Sequence, residues 1–574
     1  MAETIISPGV FTRENDISFV TPAPTEVGAC IIGPAVKGPV EIPTTVTSYN
    51  EYVRVFGDTF ESASSNQEFL TSIAAKNYFS QGGNNLLVAR VVTGSFTAAS
   101  STHVSASKAA SSQPFQLETI GKGAIYNNAT GSTALAGEQN SDSSIVSGSS
   151  DNLRWEISNV SEAKGTFTVS VRRGDDNLKN KIVLETFNNV DLDPNSSNYI
   201  EKVIGNQSKA IAGTNDHVVT SGEYVNKSKY IRVSAVNLST INYIGNSGAR
   251  RIEAHTGSLP TAQSGAFYNA SGEIVHAGMK FFDNINANSQ GLGTGDYSNI
   301  TTLLNNADDY KFNVISAPGI CDNHHGATVD GLIDLAESRG DCIAVVDLYA
   351  HGATVSNVTG QADTLNSSYA AAYWPWLQTD SATGKNVWAP ASAFIPGVYA
   401  FTDGANAPWF APAGLVRGGL AGVIQAERRL SRTQRDSLYD AKVNPIASFP
   451  GTGIAVFGQK TLQTKSSALD RVNVRRLLID LKEFIGNQAQ NLVFEQNTVN
   501  TRNKFLAAVN PYLDSVVQRQ GLYAYKVAMD DSNNTADVVD RNQLIGQVFI
   551  QPAKTAEFIV LDFTVEPTGA SFGA

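Results

Sequence analysis

The string CDNHH at residues 321–325 is the densest group of potential metal ligands in the chain, since Cys321, His324 and His325 each carry a lone pair suited to zinc, and Cys342 follows at a distance a fold could close. A zinc site needs four ligands in tetrahedral array, and the order and spacing here match no common finger. The expectation is therefore a polar loop after a strand, with no metal and no cofactor. No G-x-x-x-x-G-K-[ST] phosphate loop and no H-E-x-x-H metal helix occurs. GTGIAVFG (451–458) is Gly-rich, but its third Gly is misplaced for a dinucleotide fingerprint, so it reads as a turn and a strand. Enzyme chemistry thus finds no motif to carry it.

The elements around these residues alternate between two kinds. VGACIIG (27–33) is strand-like, residues 66–80 read as a helix, and LLVARVV (86–92) is strand-like again, which begins an α/β unit. From Gly94 to about Ser150 the chain is rich in Ser, Ala, Gly, Thr and Asn, a loop-rich or small β region. TFTVSVR (166–172), RGDDN and KIVLETF (181–187) then predict a β-hairpin. The α/β signal resumes with FNVIS (312–316), a helix near Val329 to Arg339 and CIAVV (342–346). One α/β domain is interrupted by an insertion from about 94 to 300.

Toward the C-terminus, DRVNVRRLLIDLKEFI (470–485) places Val474, Leu477, Leu478, Leu481 and Ile485 on one helical stripe, with Arg475, Asp480, Lys482 and Glu483 mainly elsewhere. A second helix is expected over Thr501 to Gln518. Ile559, Leu561, Phe563 and Val565 alternate with Val560, Asp562, Thr564 and Glu566 as in a half-buried strand, before Pro567 and Gly569 end it.

These last segments carry a family resemblance. APAGLVRGGLAGVI (411–424), LYDAKVNPI (438–446), GQKTLQTKSSALDRVNVRRLLIDL (458–481) and FEQNT (494–498) resemble, in order, the C-terminal domain of contractile, myovirus-type phage tail sheath proteins. SPGVFTREND (7–16) looks like that family's N-terminal arm, and WAPASAFIPGVYAFTD (388–403) adds a further match. The resemblance covers residues 5–92 and 312–574 and is absent from the insertion.

The resemblance implies a mixed α/β and α+β multidomain chain. Its parts would be an N-terminal linking arm (1–21), a discontinuous middle α/β domain (22–93 with 301–400), and a β-rich inserted surface domain (94–300). A C-terminal α+β domain facing the tube (401–557) and a C-terminal linking arm (558–574) complete it. It implies a structural subunit that polymerises helically around a tail tube and shortens to drive the tube through the host envelope for genome delivery. The implied partners are further copies of the chain, the tail tube protein, and baseplate and tail terminator proteins at the ends. The implied location is the virion tail, assembled in the host bacterial cytoplasm. Arms holding Ile5, Ile6, Val10 and Phe11 at one end, and Ile559, Leu561, Phe563 and Val565 at the other, would add as strands to neighbours' sheets. Candidate tube-facing basic residues are Arg417, Arg428, Arg429, Arg432 and Arg435, with Arg471, Arg475, Arg476, Arg502 and Lys504 as equals; the alternative is that several pair with carboxylates such as Glu427 and Asp436 inside the subunit.

Composition agrees with such a body. The 574 residues suggest about four domains at roughly 150 residues each. With 42% hydrophobic and 17% charged residues, disorder of the whole chain is excluded. A net charge of -11 gives no general support for direct nucleic-acid binding, which needs a positive field. Three cysteines are too few for a disulfide framework and suit a reducing cytoplasm. Met1 to Val10 has no basic residue and no long apolar run, so no signal peptide is expected, and no apolar run is long enough to insert in a membrane. The remaining alternative is another β-rich virion surface or shell protein.

Overall fold

In the computed structural model the described residues are 28–557, apart from 63–64, 102–105, 107–112, 129–139, 146, 246, 251–257, 275–280, 283 and 452. The expected arms, with Ile5, Ile6, Val10, Phe11, Ile559, Leu561, Phe563 and Val565, lie outside the described residues.

Short, mostly apolar runs build the largest sheet: β1 (Ala29–Gly33), β2 (Thr44–Val46), β3 (Leu86–Arg90), β4 (Val314–Cys321), β5 (Ile343–Asp347), β6 (Ala370–Trp374), β7 (Val443–Phe449) and β8 (Gly453–Val456). Their order is β2-β3-β1-β4-β5-β6-β7-β8. The stretch from β3 to β7 is parallel and the outer strands β2 and β8 are antiparallel. A parallel sheet is covered on both faces, which is why β1 and β3 to β6 are buried along their whole length instead of alternating. Successive side chains point to opposite faces, so Cys30 and Ile32 join one core while Ala29 and Ile31 join the other. Helix α1 (Leu70–Ser80) covers the second face through Ile73, Ala74 and Tyr78; α2 (Asp322–Arg339) covers the first through Val329, Leu332 and Leu335.

Three local readings shift. Helix α1 starts at Leu70 because Ser65–Glu68 pairs with Thr59–Ser62 as a hairpin. Helix α2 begins at Asp322, so the CDNHH string is the end of β4 and the first turn of a helix, not a loop. The sheet also runs across the expected boundary at 400–401, since β7 pairs with β6 in parallel and β8 with β7.

Between β3 and β4 a second core forms. Strands Val183–Val190, Thr166–Arg173, Leu153–Ser161 and Gln263–Ala266 make a four-stranded antiparallel sheet in that order, and the predicted hairpin is its first pair. Strands Ile231–Val236, Phe115–Lys122 and Ala98–Ser100 make a three-stranded one. The core between them, with Trp155 and with Phe115 stacked on Phe167 at 5.4 Å, draws its buried residues, among the described ones, from 99–267.

The last part rests on four helices, α3 (Ile395–Ala405), α4 (Arg432–Asp440), α5 (Val472–Gln490) and α6 (Val499–Gln518). Thr498 caps α6 by accepting from the Thr501 amide, and Phe505, Val509, Leu513 and Val516 form its buried stripe. Helix α5 is packed on two sides. Val472 and Ile479 enter the core beneath the large sheet, whereas Leu477 and Leu481 meet α6 and Trp409. An antiparallel ribbon, β9 (Leu522–Ala528) with β10 (Gln547–Pro552), closes this part.

Candidate assembly surface

The metal-like string is interior scaffolding. Cys321 and His325 are buried, and the Cys321 amide donates to His325 Nδ1 at 3.2 Å. Burial pushes the Cys321 thiol far up and the His325 imidazole down, so both stay neutral. Cys321 packs against Trp376 while Cys342 packs with Cys30 in the core of the large sheet. Among the described residues no group of three or more His, Cys, Asp and Glu is placed to hold a metal ion.

The basic residues divide. Arg428, Arg429, Arg432 and Lys504 are exposed, and none forms an ion pair among the described residues; Arg428 reaches only the Gly352 carbonyl, at 3.5 Å. Arg417 and Arg435 are half-buried over aromatic rings, Arg417 at 5.3 Å from Phe410 and Arg435 at 5.4 and 5.5 Å from Phe449 and Phe457. Glu427 does not serve them: it accepts from the Gly352 amide.

Arg475, Arg476 and Arg502 are buried inside the subunit. Arg475 lies 4.0 Å over Tyr369 and donates to Ser368 Oγ; Arg476 lies 4.6 Å over Tyr399 and pairs with Asp403 at 2.5 Å; Arg502 pairs with Asp531 at 2.5 Å. Burial pushes the Asp403 carboxyl up, and Arg476 pulls it part of the way back. A single stripe on α5 does not anticipate this, because the helix is enclosed by two cores and its polar side must find partners. These three guanidinium groups are not surface charges of the subunit.

The ribbon is a two-stranded sheet unlike the many-stranded sheets of the two larger cores. No residue of β10 is buried, Tyr523 and Phe549 are 64% and 55% exposed, and among the described residues no third strand pairs with either β9 or β10. Unpaired strand edges with exposed aromatic residues offer main-chain partners to a further strand. The alternation in LYAYKVA (522–528) and QVFIQP (547–552) is the sequence signal that points to these strands.

Beside the ribbon runs a groove of about 940 Å³, walled by Trp409, Phe410, Arg435, Tyr439 and Tyr523, with Glu557 at its end. The Glu557 carboxylate accepts from Arg471 Nε and Nη2 at 2.7 and 3.0 Å, from Tyr439 Oη at 2.8 Å and from Gln459 Nε2 at 2.9 Å. Arg471 also pairs with Asp470 at 3.0 Å. No local pattern in sequence marks Glu557, because its donors come from 86 to 118 residues upstream.

Known proteins answer to the same parts of the chain. Residues 290–462 match the phage tail sheath protein central domain, and residues 464–566 match the phage tail sheath C-terminal domain. The tail sheath protein of Vibrio phage KVP40 is 35% identical over 239 residues, 41% of this chain and 36% of that protein. The tail sheath protein of Enterobacteria phage T4 is 38% identical over 195 residues, 34% of this chain and 30% of that protein. The chain thus spans about a third of the length of these curated relatives. The crystal structure of a sheath tail protein from Listeria innocua, 10% identical, superposes with a TM-score of 0.52 over 92% of this chain and 96% of its own, a likeness of fold. Residues 290–566 thus carry two consecutive stretches similar to domains of the phage tail sheath family.

Proposed function

We propose that this chain is the structural subunit of a contractile phage tail sheath, polymerising helically around the tail tube and shortening to drive it through the host envelope. The observation that carries the reading is the match of two adjacent sheath domains over residues 290–566, which includes the ribbon with its unpaired edges. Residues 1–21 and 558–574 are then linking arms that add as strands to the open ribbons of neighbouring copies. A strand of five or six residues forms roughly four to six backbone hydrogen bonds at about 0.5–1.5 kcal/mol net each, enough to keep neighbours joined while bodies rotate.

Head-to-tail contacts of this kind do not close, so they generate a helical polymer. Contraction draws on energy stored in the extended lattice, a kinetically trapped state above the contracted one. The large sheet forms the middle body, residues 94–300 face solvent, and the C-terminal part faces the tube. Arg428, Arg429, Arg432 and Lys504, exposed and unpaired with acids, are the groups favoured for an acidic tube surface. Baseplate and terminator proteins cap the polymer in the virion tail, after assembly in the host cytoplasm.

Electron microscopy of the expressed protein tests this reading. Hollow helical tubes or short rings are expected. Closed particles would favour a shell protein, and monomers at all concentrations would overturn the proposal.

A further inference from the structure

The ribbon and the clamp on Glu557 belong to different cores. Strands β9 and β10 pack with α6 through Leu522, Val527, Val548 and Ile550, in the cluster that also holds Trp409. The donors to Glu557 sit on the α/β body instead. Tyr439 follows Leu438, which is fully buried against the large sheet; Gln459 follows β8; Arg471 immediately precedes α5, whose Val472 amide donates to the Gln459 carbonyl at 2.8 Å. From Pro552 the chain therefore leaves the ribbon, crosses the groove as coil, and is fastened five residues later to another body.

Along that crossing the attachments are few. The Ala553 amide donates to the Gly521 carbonyl at 3.0 Å, the Lys554 amide reaches Tyr523 Oη at a long 3.4 Å, and Gln459 Nε2 donates to Thr555 Oγ1 at 2.6 Å. Glu557 alone takes four bonds, two of them from a guanidinium held in fork geometry. Burial would raise its pKa, but the bonds from Arg471, Gln459 and Tyr439 outweigh burial and hold it below the ordinary range, so the clamp is ionised at neutral pH.

We propose that Glu557 is an anchor that fixes where the C-terminal segment leaves the subunit and passes load on that segment to α4, α5 and the large sheet, bypassing the β9–β10 ribbon. The inference rests on the linking-arm reading of residues 558–574. A two-stranded ribbon is marginal by itself, and tension applied at Pro552 would be borne by it alone. Applied at Glu557, the same tension reaches α5, which is packed between two cores.

The test is Glu557→Ala in the full chain, with hydrogen exchange and sedimentation read together. Protection of amides 553–557 is expected to fall at least about tenfold, the size of losing one or more charge-assisted bonds. Protection in β9 should be retained, and the concentration needed for polymerisation should rise by a similar factor. The exchanged pair Arg471→Glu with Glu557→Arg should restore much of both. Tyr439→Phe removes a single bond and should move both readouts the same way by less, which keeps the test open if the alanine variant does not fold. Unchanged protection at 553–557, or unchanged polymerisation with protection lost, would overturn the anchor. Truncation after residue 557 separates the two ideas. Normal polymers from that truncation overturn the linking arm itself, whereas truncation that abolishes polymers, beside a Glu557→Ala chain that assembles like wild type, overturns the anchor alone.

Discussion

Two antiparallel regions of this chain are completed in opposite ways. The sheet containing Leu153–Ser161 and Thr166–Arg173 folds over its own core, and even its charges are internal: Arg154, Arg172 and Asp176 have side chains with no exposed surface, joined at 2.6 to 3.2 Å. The β9–β10 ribbon has no such closure. Its second strand is nowhere buried, and both outer edges lack a strand partner among the described residues. The first region holds together without help, so substitutions there register in the monomer. In the second, on the linking-arm proposal, substitutions should register where another chain adds a strand.

The largest effect should follow from opening the closed network. Asp176→Ala leaves two buried guanidinium groups without their shared carboxylate and should destabilise the sheet around residues 153–190 by about 3–5 kcal/mol, measured by denaturant unfolding. If residues 94–300 only face solvent, a shortened chain lacking them should still polymerise. Tubes lost from a folded deletion variant would move those residues into the lattice contacts.

Between the two extremes lies Asp347 at the end of β5. Its carboxylate accepts from Ser392 Oγ at 2.5 Å and from the Ser392 amide at 3.2 Å, yet burial pushes its pKa up to about 7. The unfolded chain loses that proton near pH ~4. Across the window between, the folded state binds more protons than the unfolded one, so this group's contribution to stability is greatest in acid and falls as pH rises to about 7. Between pH 5 and 7 the fall should be about 2–3 kcal/mol. Asp347→Asn should flatten it; an unaltered slope in thermal melts at several pH values would assign it to other groups.

The ribbon should behave oppositely to all of these. Phe549→Ala removes a ring already more than half exposed and should change monomer stability by less than about 0.5 kcal/mol. It should nevertheless raise the concentration needed for polymerisation, seen by sedimentation. The smallest effect on the monomer is expected for reversing Arg428, Arg429 and Arg432 together, at most about 0.5 kcal/mol. Assembly on isolated tubes should weaken more than self-polymerisation. Equal loss of both with a lowered melting temperature would make these arginines part of an internal network.

Local pattern carried much of this architecture. The hairpin at 166–187, the continuous apolar strands at 29–33 and 86–90, and the helices α5 and α6 follow from periodicity and turn chemistry in short windows. What escaped local reading depends on contacts between distant segments. The CDNHH string looks polar, but β4 runs directly into α2 and draws Cys321 and His325 inside. VNPI at 443–446 becomes a parallel strand only because β6 lies alongside it.

The sequence by itself therefore determined most of the element types, the interruption of an α/β region by β structure, and the family resemblance, through ordered strings near the C-terminus. Only the tertiary structure decided which charges are free. Arg432 and Arg476 are indistinguishable by residue type, but α5 is packed on two sides while α4 presents Arg432 to solvent. A guanidinium enclosed between two cores needs partners there, as Arg476 has in Asp403, because leaving it unpaired costs several kcal/mol. Such pairing is set by three-dimensional proximity across 73 residues of chain, and no window of sequence encodes it.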